Sequence, residues 1–63
     1  MITIQWVELD DEEQQLIADR VSAYATPTVE LAQRELATFG GQATILAHRM
    51  RKLNEAALTA YNP

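Results

Sequence analysis

The chain has 63 residues, no cysteine, one histidine and a formal charge of −4 from nine acids against five bases. A domain this small buries only about 60% of the surface its unfolded form exposes, so its own core is thin. Without cysteine it has no disulfide, and its acidic balance disfavours nonspecific attraction to phosphate backbones or anionic lipid, which leaves a partner subunit as the available support.

Residues Ile2 to Trp6 alternate apolar and polar, which predicts a short strand or extended arm over about 2–7. A strand needs a neighbour for its backbone groups, and no other segment resembles one, so pairing between chains is the alternative to an arm. Asp10 followed by Glu13 has the spacing of a capping box and predicts a first helix over about 10–25. Its apolar side is Ile17, Val21 and Tyr24, with Leu16 to one flank. Thr26 precedes Pro27, which stops that helix and makes Thr26 the next cap, with Pro27 at the first helical position. The second helix, about 27–39, carries the stripe Val29, Ala32, Leu36 and Phe39, and Glu30 and Arg34 form an i,i+4 pair. Gly40 and Gly41 read as the stop of that helix.

The third helix, about 43–61, opens at Gln42 or Thr44 and is closed by Asn62 and Pro63. Its stripe of Leu46, Met50, Leu53, Ala57 and Tyr61 falls at spacings of three and four, while His48, Lys52, Glu55 and Thr59 lie on the other face. This helix must pack on something. Leu31 and Ile45 fall outside the main stripes, which suggests a second apolar contact surface. The expected fold is all-α, a single domain of three short helices with an N-terminal arm, associating as a homodimer.

Chemistry is sparse. The acids Asp10 to Glu13 lack the alternating ligands and glycine turn of a calcium loop, and they read as capping and solvated groups. His48 is expected to face solvent, without the nucleophile and orienting carboxylate that catalysis needs. Neither an enzyme, a metal site nor a cofactor is expected. Arg49 and Arg51 flank the stripe of the third helix, where their stems cover apolar surface and their heads can reach carboxylates on a neighbour. Nucleic-acid contact through the cluster His48 to Lys52 is the weaker alternative. Asn54 lies at the stripe's edge, or else faces its symmetry mate and fixes register. Trp6, Tyr24 and Tyr61 supply amphipathic aromatic surface.

The layout of alternating arm, helix, Thr26-Pro27-Thr28 turn and helix resembles a ribbon-helix-helix repressor or antitoxin over the first two thirds of the chain. That resemblance implies a dimer whose strands enter the DNA major groove, with Thr3 and Gln5 reading bases and Thr26 and Thr28 at the phosphates. The strand lacks Lys and Arg, however, and Asp10 to Glu13 would bring negative charge near the phosphates.

The first reading is therefore a noncatalytic protein-binding module, a small regulator, inhibitor or adaptor of the kind phages also encode. Its contact residues are Trp6, Tyr24, Leu46, Arg49, Met50, Leu53, Asn54, Ala57 and Tyr61, and its partner is itself or a larger protein. The absence of cysteine fits the cytoplasm. No stretch reaches the roughly 18 to 20 apolar residues of a membrane span, and the acidic beginning does not resemble a signal peptide, so a soluble, unprocessed chain is expected.

Overall fold

Three side-chain caps set where the helices begin. Asp10 Oδ1 accepts the Glu13 N–H at 2.8 Å while the Glu13 carboxylate accepts the Asp10 N–H at 3.1 Å, the reciprocal box expected from the sequence. Thr28 Oγ1 accepts the Leu31 N–H at 3.1 Å, and Thr38 Oγ1 accepts the Gly41 N–H at 3.0 Å. In the computed structural model, which describes residues 3–61, these caps open helices α1 (Asp11–Ser22), α2 (Val29–Leu36) and α3 (Phe39–Tyr61). A single 3₁₀ turn at Trp6–Glu8 precedes them. The fold is all-α, with no strand among the described residues.

The boundaries differ from the expected ones for local reasons. The first helix ends at Ser22 rather than Ala25, where the chain turns through Ala23 and Tyr24. Thr28, not Thr26, caps the second helix, so Pro27 lies ahead of it in extended chain. A hydroxyl able to accept the Leu31 N–H outweighs the weaker preference for proline at a first position. The largest correction concerns Gly40 and Gly41. They do not stop the second helix, which already ends at Leu36; they form the first turn of the third.

Gly41 is buried because it is where α3 meets the end of α2. A Cβ there would run into the Glu35 carbonyl oxygen and come within 2.8 Å of Leu36 Cα. Glycine is thus required for a close backbone approach, with no positive φ involved.

The core gathers Ile4, Leu9, Ile17, Ala32, Leu36 and Ile45, with Trp6 packed against its edge. Ile17 and Val21 are buried as expected from α1, and Ala32 and Leu36 from α2. Val29 and Phe39, expected in the same stripe, are exposed, as is the Tyr24 ring. Ile45, which the periodicity set aside, has no exposed surface.

Residues 3–5 form an arm with no strand paired to it within the chain among the described residues. The Gln42 side chain takes the place of a neighbouring strand. Its Oε1 accepts the Ile4 N–H at 2.9 Å, and its Nε2 donates to the carbonyls of Ile4 at 2.9 Å and Leu36 at 2.7 Å. Ile4 is thereby held in the core with both backbone groups satisfied. Ile2, the first residue of the expected strand, lies outside the described residues.

Candidate functional site

Ion pairs join α1 to α2 and α1 to α3. Arg49 Nε donates to Glu13 Oε2 at 2.7 Å, Lys52 lies 3.3 Å from Glu12, and His48 Nε2 lies 3.7 Å from the same Glu12 carboxylate. The Arg49 guanidinium is the main reason the Glu13 carboxyl sits below its ordinary pKa. Burial opposes that shift, and the Asp10 N–H adds to it. On the far side of α1, Tyr24 Oη donates to Glu35 at 2.6 Å and Arg20 Nε to the same carboxylate at 3.0 Å. The tyrosine, then the arginine, hold Glu35 below its ordinary pKa, and the shared bond raises that of Tyr24. Arg34 pairs with Glu30 at 2.9 Å as the spacing predicts.

These contacts correct two expectations. His48 is buried against α1 and does not face solvent. Arg49 and Lys52 find carboxylates, Glu13 and Glu12, within the same chain. A cleft of about 500 Å³ beside them is lined by Asp10, Glu13, His48, Arg49, Lys52 and Leu53. No hydroxyl or thiol lines it, and its buried polar side-chain atoms all have partners. The arrangement is a clamp between helices.

The consequence of the clamp is the orientation of α3. Gly41, Ile45 and His48 face the body, so the side of the helix roughly 150° away faces solvent. That outward side is the apolar one. Phe39 is 90% exposed, Leu46 54%, Met50 57%, Leu53 64% and Tyr61 86%. Ala43, Ala57 and Ala60 are exposed as well. Phe39, Ala43, Leu46, Met50, Leu53, Ala57 and Ala60 follow one another at alternating steps of four and three. This is an unbroken seven-residue repeat over the whole helix, the pattern of a helix-pairing seam.

The stripe read from the sequence is therefore present, extends further toward the N-terminus than expected, and is not covered by the rest of the chain. Every residue of α3 from Met50 onward is exposed. At about 1.5 Å per residue the helix is roughly 34 Å long, and it sets the 43 Å long axis of the molecule.

Of the other expected contact residues, Asn54 lies on the open edge of this stripe with its amide exposed, so no buried amide needs a partner. Leu46, Met50, Leu53, Asn54, Ala57 and Tyr61 are brought together along one helix, with Arg49 at their margin. Trp6 and Tyr24 are not part of that face. Trp6 belongs to the core edge and Tyr24 to the Glu35 network. Phe39 and Ala43 were missed, although their spacing from Leu46 was there to be read. The assumption that glycines end helices cut the stripe short. Thr3, Gln5, Thr26 and Thr28 are exposed, but the Thr28 hydroxyl is committed to its cap and the arm beside Gln5 is clasped by Gln42.

Two shallow grooves of about 400 and 350 Å³ share Trp6 and are lined mainly by amide, hydroxyl and aliphatic side chains. Among the described residues no helix is long and apolar enough to cross a membrane. No family model, curated protein or solved structure matches the chain.

Proposed function

We propose that the chain is a noncatalytic protein-binding module whose working surface is the outward face of α3, used in the manner of a small regulator, inhibitor or adaptor. One observation carries this reading: the helix meets the body through Gly41, Ile45 and the clamp at His48 and Arg49, and leaves its seven-residue apolar repeat outward. A core-forming helix does the reverse. An isolated helical segment of three turns is marginal in water, so the projecting half from Met50 to Tyr61 gains its stability from whatever covers it. Apolar surface of this extent is characteristic of an interaction site. The mechanism is occupancy: a helix laid along a partner's apolar groove, or against another helix, blocks or stabilises that surface.

Site-specific photocross-linking in the living cell tests it. A benzophenone side chain at Leu46 or Leu53 is expected to form adducts with a protein, whether this chain or another, and the same group at Glu55 or Thr59, on the opposite side of the helix, is not. Adducts equally abundant at all four positions, or at none, would overturn the reading.

A further inference from the structure

We propose that the seam of α3 is made for a second copy of this chain, running antiparallel, with Phe39 of each copy over Ala57 of the other. This rests on the protein-binding reading above and names the partner.

The argument is the order of large and small side chains. In an antiparallel pair of helices the two kinds of seam position face one another, so each register assigns a definite partner to every residue. Aligning the copies about His48 sets Phe39 against Ala57, Ala43 against Leu53, and Leu46 against Met50. Each layer then joins a large side chain to a small one or two of middle size, the alternation that lets facing helices interdigitate at uniform separation. A parallel pair would instead stack Phe39 on Phe39 and leave the Ala43 and Ala57 layers hollow, with the cost that such voids carry. The neighbouring antiparallel register, with Ala43 opposite Ala60, also leaves a hollow layer.

The edges of the seam agree. One edge is Gly40, Ala47, Asn54 and Tyr61, with no charge. The other is Gln42, Arg49 and Ala56, and the one charge there is already paired with Glu13. All nine acidic residues lie off these edges, and the two Arg49 that this register brings to the two-fold axis each carry their own Glu13 partner, so no unpaired like charges face one another. The body packs on the opposite side of α3 and does not stand in the partner's way. Antiparallel helices also oppose their macrodipoles. In this register Tyr61 lies beyond the overlap, and the exposed side chains from Phe39 to Ala57 offer on the order of 500 Å² per copy, near the ~1,000 Å² in total that a specific interface must clear.

Because the chain has no cysteine, single cysteines report the geometry directly. In the proposed pair Ala47 of each copy lies beside the two-fold axis, whereas the two Ala57 residues are about 27 Å apart along the helix. Under mild oxidation Ala47→Cys is expected to form a disulfide-linked dimer nearly completely, at a rate at least tenfold above that of Ala57→Cys. Unmodified protein is expected to show twice the 7.1 kDa chain mass in light scattering. Faster linking at Ala57→Cys would overturn the antiparallel register in favour of a parallel pair. A mass of 7.1 kDa at all concentrations, with neither variant linking beyond random collision, would overturn self-pairing. Adducts at Leu53 with a different protein in the photocross-linking experiment would, in that case, leave the protein-binding reading standing.

Discussion

Gly40 and Gly41 are neighbours on the same helical turn, and alanine at the two positions is expected to move stability in opposite directions. On helix propensity alone each change is favourable by about 1 kcal/mol, since alanine replaces the most flexible residue inside α3. At Gly40 the added methyl meets the Arg20 guanidinium, the far end of a flexible side chain that is 41% exposed and can move aside. The gain there should survive at roughly 0.5 to 1 kcal/mol. At Gly41 the methyl meets the Glu35 carbonyl and lies 2.8 Å from Leu36 Cα, so α2 or α3 must shift bodily. Because the contact is with backbone, overpacking here falls at the upper end of its usual range of about 1 to 3 kcal/mol, and set against the helical gain it leaves a net loss near 2 kcal/mol. For a domain of this size each kcal/mol moves the melting midpoint by about 4 to 8 °C. Thermal unfolding followed by circular dichroism, at one fixed protein concentration, should therefore place Gly40→Ala a few degrees above the parent and Gly41→Ala about 10 °C or more below it. Two variants that both melt higher would mean that α2 does not approach α3 at Gly41, and the account of the fold would fail.

Other outcomes follow from named contacts. Gln42→Ala removes three hydrogen bonds and strands the Ile4 backbone groups, at about 1 to 3 kcal/mol; Trp6 emission should shift to the red and the arm should become protease-sensitive before the helices do. Ile45→Ala opens a hole at a fully buried site and should cost about 2 to 5 kcal/mol, most of what a domain this small possesses, whereas Leu46→Ala one residue on should weaken association and leave unfolding nearly unchanged at concentrations where the parent is monomeric. Glu13 and Glu35 have folded-state pKa values below the ordinary 4.5. Their contribution is therefore complete above that pH and is lost as pH falls through the lowered values, so the stability gap between the parent and Arg49→Met, read from urea titrations, should narrow on acidification. A gap that stays constant from neutral to acid pH would remove the Glu13–Arg49 pair from the account.

How much of this was legible depended on the range over which each residue acts. The capping box of Asp10 and Glu13, the pair Glu30 and Arg34, and the inward residues Ile17, Val21, Ala32 and Leu36 all rest on neighbours within a turn or two. Their spacing alone indicated them. Gly40 and Gly41 misled because a glycine that permits a backbone crossing looks, in one dimension, like a glycine that ends a helix. The Thr38 cap was hidden by the same misreading. His48 was placed on the solvent side, and Ile45 was left outside the main stripe on a second apolar surface, because periodicity identifies an apolar face without saying whether the same chain covers it. In α3 the face that meets the body is partly polar, since α1 answers it with the carboxylates of Glu12 and Glu13, and the greasier face is left outside. The clasp of Gln42 on Ile4 joins residues 38 positions apart and has no local signature.

The most direct measurement of the central claim is sedimentation equilibrium of the parent and Leu53→Lys side by side, from micromolar to sub-millimolar concentration. The account predicts that the parent rises toward twice 7.1 kDa with concentration, while Leu53→Lys, with the helices of its body intact by circular dichroism, stays at 7.1 kDa. A parent that remains at 7.1 kDa throughout, or a Leu53→Lys variant that associates as tightly as the parent, would contradict it.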